Sequence, residues 1–193
     1  MKVKEFSLDY LQKLKVLIDR IDLDGIENIV EAIKQTVKNK SRIYVIGNGG
    51  SSAIASHMVN DLGTGLRRRD VINFDIISLA DNTPVGTAIA NDIGYENIFY
   101  MQLKGLMKKD DVIIAISSSG NSPNIIKAVE YARKVGATVI GCTGFDGGKL
   151  KILSDISFHI ETPKGEYGLV EDIHTILDHL LHSYLLSTKK ANS

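Results

Sequence analysis

The chain has 193 residues, in which 23 Lys and Arg balance 23 Asp and Glu. That length suits one substantial domain rather than two, and zero formal net charge supplies no drive toward nucleic acid or an anionic membrane, leaving a small molecule as the expected ligand. The single cysteine, Cys142, excludes an internal disulfide, and MKVKEFSLDY carries neither a signal peptide nor a long apolar stretch, which reads as a soluble cytoplasmic protein.

From about Ser7 to Lys38 the pattern is helical, with Ile26, Ile29, Val30, Ile33 and Val37 on one stripe and a break near Asp22-Leu23-Asp24. Two helices standing before the first strand pack on the sheet or on another subunit. Ile43 to Ile46 predicts that first strand. It runs at once into Gly47-Asn48-Gly49-Gly50-Ser51-Ser52 and a helix over 51–62 that ends near Gly63 and Gly65. Arg67-Arg68-Arg69 reads as solvated charge.

Ile76 to Leu79 predicts a second strand, and Asn82-Thr83-Pro84 starts a helix through Asp92 that stops at Gly94. Another helix is expected over Tyr95–Met107. Asp111 to Ile116 is almost uninterruptedly apolar, as a strand covered on both faces must be, and it empties into SSSGNSPN before a helix from Pro123 to Lys134 closed by Gly136. Thr138 to Cys142 and Asp155 to Ile160 complete five strands. Alternating strands and helices imply a doubly wound, mostly parallel five-stranded α/β sheet with its ligand at the carboxyl ends of the strands.

The last helix is expected over about Leu169 to Leu186. On a 100° wheel Ile173, Ile176, Leu177, Leu180 and Tyr184 form the apolar face, Glu171, His174, Asp178 and His182 the opposite one, and His179 falls at the boundary. The chain thus reads as one domain over 1–193: helices over 1–40, core and last helix over 41–188, and a frayed tail over 189–193.

Two turns carry chemistry. GNGGSS lacks the spacing of the dinucleotide fingerprint and the Gly-Lys-Ser/Thr of a P-loop, yet a glycine turn opening a helix suits a phosphate or polar sugar. SSSGNSPN offers hydroxyl and amide donors at a second helix start, which suits a phosphate. His57 and Asp61, four apart, share a helix face and fit a metal, an acid–base pair or a surface pair. Cys142 reads as core.

GNGGSSAIASH, TAIANDIGYENIF, SSSGNSPN and EDIHTILDH together resemble the sugar isomerase (SIS) domain family, and within it the phosphoheptose isomerases, over nearly the whole chain. The resemblance implies that Asn48, Gly49, Gly50 and Ser51 line the sugar, that Asn91 and Asp92 contact it, and that Ser117, Ser118, Ser119 and Ser122 hold the phosphate. It implies a catalytic carboxylate at Asp61, a catalytic imidazole at His179 and a homotetramer with sites between subunits. In members that bind zinc the ligands fall on His57, Asp61, Glu171 and His179. The subfamily has glutamate where Asp61 stands and glutamine where Glu171 stands, so the first carboxylate is about 1.5 Å shorter in reach and the second adds a negative charge; Glu171 becomes a reserve base. The expected reaction converts sedoheptulose 7-phosphate to D-glycero-D-manno-heptose 7-phosphate or a related heptose phosphate, through an enediol, for surface polysaccharide synthesis. A non-catalytic SIS protein that senses a phosphosugar or binds the replication initiator is the alternative.

Overall fold

All six residues of Val112–Ser117 are buried, as expected of an apolar strand without alternation. This is β3, the middle of a sheet in which β1 (Arg42–Gly47), β2 (Asp75–Ser78), β4 (Thr138–Thr143) and β5 (Ile156–His159) pair in the order β2-β1-β3-β4-β5, every pairing parallel. The computed structural model describes residues 2–191, so the expected boundary at Met1 and the last two residues of the expected tail lie outside the described residues.

Alternation along β1 sends Ile43 and Val45 to one side of the sheet and Tyr44 and Ile46 to the other, building two apolar layers. The first layer is closed by α2 (Leu23–Asn39), α3 (Gly50–Met58) and α8 (Tyr167–Ala191), the second by α6 (Pro123–Val135) with Leu103 and Leu150. Asp111, just before β3, ties the base of the sheet: its carboxylate accepts the Arg42 N–H at 2.9 Å and the Lys108 N–H at 2.7 Å. α1 (Val3–Ile18) is held to α8 by Tyr10, whose hydroxyl donates to Asp172 at 2.7 Å; burial and that carboxylate push the Tyr10 pKa up to about 12. Among the described residues no helix is long and apolar enough to cross a membrane.

Four expectations need correction. The helix after β1 does not simply stop at Gly63: α3 passes into a π-helical segment, Val59–Gly65, that carries Asp61. Tyr95–Met107 is not one helix. A 3-10 turn at Tyr95–Asn97 and the four-residue α5 (Tyr100–Leu103) replace it, following α4 (Thr83–Ile93), because Lys104 leaves helical angles at ψ 117° and the Gly105 N–H turns away to the Tyr131 hydroxyl. A six-residue α7 (Gly148–Leu153) was not expected. Within the expected tail, residues 189–191 continue α8.

The face of α8 also differs from its wheel. Ile173 and Leu177 are buried as expected, but so are His174 and Asp178 from the supposed polar face, while Leu180 and Tyr184 are 42% and 49% exposed. α8 contacts α1, α2, α3 and the π segment, so its buried arc is wider than the stripe its apolar residues draw. His174 Nε2 lies 3.4 Å from the Thr143 carbonyl, and burial pushes the ring's pKa down to about 4. An unfolded histidine takes its proton near pH 6.5 and this one only near 4, so its contribution to stability is lost as pH falls across that window, by up to about 3 kcal/mol. Asp178 works in the opposite sense, because burial and the nearby Asp61 push its carboxyl up to about 7. Urea unfolding of the parent and of His174→Leu isolates the histidine: the stability difference between them should shrink or turn against the parent as pH drops from 6.5 to 4, and a difference that does not change with pH contradicts this origin.

Candidate active site

In the order β2-β1-β3-β4-β5 the chain winds one way from β1 and the other way from β3, so the carboxyl ends of these two neighbours flank a crevice. Both polar turns open there. After β1, Gly49 takes φ +53°, ψ −123°, which a side chain would strain, and α3 begins at the next residue. After β3, Gly120 has φ +62° and packs so closely that a Cβ there would collide with the Gly147 carbonyl.

The turns are bound to each other by a reciprocal amide pair. Asn48 Nδ2 donates to Asn124 Oδ1 at 2.9 Å, and Asn124 Nδ2 donates back to Asn48 Oδ1 at 2.8 Å. The Tyr95 hydroxyl also donates to Asn48 Oδ1, at 2.9 Å. Beside Asn48 and Gly49 lies a cavity of about 210 Å³ walled on its other side by Thr83, Thr87 and Tyr95. In the serine turn Ser117 and Ser118 are buried and Ser119 and Ser122 half-buried. Ser117 Oγ is 3.4 Å from Ser122 Oγ, and Ser122, the residue before α6, makes no capping hydrogen bond with its side chain. Its hydroxyl and the first turn of a 13-residue helix offer donors of the kind that suit an anion.

A second cluster joins α3, the π segment and α8. His57 Nε2 and His179 Nε2 are 3.2 Å apart, and His57 Nε2 stands 3.5 Å from Asp61 Oδ2 and 3.7 Å from Asp178 Oδ2. Asp61 Oδ1 accepts from Asn60 Nδ2 at 2.9 Å, and His182 Nδ1 is 3.7 Å from its other oxygen. The ligand atoms of His57, Asp61, Asp178 and His179 all lie within 4.8 Å of one another, a group able to hold a metal ion.

The structure therefore gathers His57, Asp61 and His179 as expected, but not Glu171, which lies outside that group. Two turns earlier on α8, Glu171 rests its carboxylate against the glycine turn, where a Cβ on Gly50 would collide with both of its oxygens. Asn48, Gly49 and Gly50 are in the glycine turn, with Ser51 buried behind it. Asn91 and Asp92 are exposed on α4, hydrogen-bonded to each other at 2.9 Å and outside the cavity lining. Asn124 and Tyr95 were not singled out from sequence, although Asn124 stands in the SSSGNSPN motif itself, and Asp178 was placed only on the polar face of the last helix, with no role of its own.

The SIS domain model matches residues 9–144. A phosphoheptose isomerase of Helicobacter pylori (strain P12) is 36% identical over 92% of this chain and 90% of its own length, and one of Aliarcobacter butzleri 35% identical over 93% and 92%. The chain belongs to the phosphoheptose isomerases of the SIS domain family. In structure it is similar to the phosphoheptose isomerase of Neisseria gonorrhoeae, with a TM-score of 0.85 and 27% identity over 96% of this chain and all of that one.

For a phosphoheptose isomerase the amide pair has a mechanical consequence, since it links the two turns just beyond the end of the β1–β3 ladder. Asn124→Ala, in the second turn, should leave Asn48 short of two hydrogen bonds, cost about 1–3 kcal/mol in urea unfolding, and weaken binding of sedoheptulose 7-phosphate about tenfold by calorimetry. Undiminished affinity in that variant would show that the pair does not set the spacing.

Proposed function

We propose that this chain is an aldose–ketose isomerase that interconverts sedoheptulose 7-phosphate and D-glycero-D-manno-heptose 7-phosphate, or a related heptose phosphate, for surface polysaccharide synthesis. The observation that carries the reading is the pinned pair of turns at the sheet's switch point, with the α8 carboxylate of Glu171 laid against one of them. The family relationship supplies the reaction class.

In this reading Ser117, Ser118, Ser119 and Ser122 bind the phosphate with neutral donors, helped by the positive end of α6. The sugar chain runs past Asn48, Gly49 and Gly50, with Ser51 behind them. A carboxylate then removes a proton from the carbon beside the carbonyl. The electron pair closes the enediol double bond as the carbonyl oxygen gains a proton; the hydroxyl on the first carbon then gives up its proton and becomes the new carbonyl as a proton is returned to the neighbouring carbon, so that no net proton is gained or lost. Asp61 is the base and His179 the imidazole that exchanges protons with the oxygens, while Glu171 at the glycine turn is the reserve base for the shorter Asp61.

The donor chemistry of the histidine cluster fits a divalent cation, since the cluster brings two imidazoles together with carboxylates and includes buried Asp178 oxygens that lack hydrogen bonds. His57, Asp61 and His179 would hold it, and a bound ion such as zinc would polarise the sugar's carbonyl oxygen. Exposed Phe6, Leu8 and Leu11 on α1, which buries only Leu17, support a homotetramer; exposed Asn91 and Asp92 suit sites shared between its subunits. A cytoplasmic setting suits the free, buried thiol of Cys142.

Chromatographic separation of the sugar phosphates after incubation of sedoheptulose 7-phosphate with the purified chain should show an aldose heptose phosphate, with light scattering on the same sample giving four chains per particle. Asp61→Asn should lower kcat by about a hundredfold or more with a smaller change in KM. No aldose from the parent would overturn the isomerase reading.

A further inference from the structure

Asp178 is the buried charge for which the reaction above has no use. It is 0% exposed, and neither carboxylate oxygen has a hydrogen-bond partner. A carboxylate in that position needs a proton, a counter-charge or a metal to offset its lost hydration. Among the described residues no Lys or Arg is paired with it, and the groups that face it are His57, Asp61 and His179.

The spacing among those groups narrows the choice. Ligand atoms placed tetrahedrally about 2.1 Å from a zinc ion stand about 3.4 Å apart, and the contacts at His57 are 3.2 Å to His179, 3.5 Å to Asp61 and 3.7 Å to Asp178. Two neutral imidazoles and two carboxylates would also balance a dication, removing the repulsion between Asp61 and Asp178 that the apolar surroundings intensify. Glu171 is the position that the family resemblance makes a ligand, but it begins the same helix about 10 Å earlier along its axis, with its carboxylate against Gly50.

Resting on the metal-assisted isomerase reading, we propose that Asp178 rather than Glu171 supplies the second carboxylate of a divalent-metal site completed by His57, Asp61 and His179. The chain has thereby moved a ligand along α8 to the residue beside His179, and Glu171 stays free at the glycine turn. His182, 3.7 Å from Asp61 Oδ2, stands behind the site as a group that orients that ligand.

Zinc alone is the probe. The full chain, stripped of metal, is titrated with zinc against a chromophoric chelator. The parent should take up one zinc per chain; Asp178→Asn, equal in size, should bind at least about tenfold more weakly, and Glu171→Gln should stay within about threefold of the parent. Circular dichroism checks that Asp178→Asn is folded. If it is not, Glu171→Gln still decides, because that variant losing zinc as a ligand variant should overturns the proposal. Undiminished affinity in folded Asp178→Asn overturns it as well, and so does a parent that binds no zinc. The isomerase reading is judged separately by aldose formation: a parent that makes aldose in chelator without binding zinc keeps that reading and loses this site, whereas zinc bound through Asp178 with no aldose formed keeps the site and loses the reading.

Discussion

Two side-chain amides, Asn48 and Asn124, 76 residues apart in sequence, exchange hydrogen bonds across the carboxyl ends of β1 and β3. Each strand delivers its following turn to one side of the crevice, and the amide pair adds a side-chain link just beyond the ladder, which ends at Gly47 and Ile116. The pair makes them one surface. Its position is dictated by sheet order, since β1 and β3 are the neighbours from which the chain winds in opposite directions. In the proposed reading, sugar binding at the glycine turn and phosphate binding at the serine turn both depend on the spacing that this pair helps to hold.

Against that surface α8 plays two parts. Its apolar residues Leu169, Val170, Ile173, Leu177, Leu181 and Leu185 close the first layer of the core, while Glu171, Asp178 and His179 from the same helix reach toward the glycine turn and toward His57. Burying ionisable groups on a core helix costs stability unless they are neutral or paired, and the two buried ones respond as burial requires: His174 is driven toward its neutral form, and Asp178 is driven upward. The π-helical segment that carries Asp61 belongs to the same picture. An inserted turn of that kind inside a helix is a common device at functional sites, where it re-aims a side chain without ending the helix.

Much of this was legible in the sequence because it is local. β-branched runs gave the strands, glycine and serine clusters gave the two turns, and Pro84 and Pro123 marked helix starts now seen at Thr83 and Pro123. The reciprocal amide pair was not legible, since nothing in two distant asparagines reveals that their strands are neighbours. The face of α8 was misjudged for a related reason: a hydrophobicity wheel counts apolar residues, and it cannot register that His174 and Asp178 are covered by elements packed from several directions. Glu171 was grouped with His57, Asp61 and His179 through family resemblance, and here it faces the glycine turn instead, with Asp178 in the place beside the histidines.

The central claim is that this site moves a proton between adjacent carbons of a phosphosugar. Proton NMR of sedoheptulose 7-phosphate incubated with the chain in heavy water tests it most directly. Proton transfer through an enediol predicts deuterium on the second carbon of the aldose formed and, by reversal, on the first carbon of the recovered ketose. A sample with neither aldose formed nor deuterium taken up into the recovered ketose would contradict it.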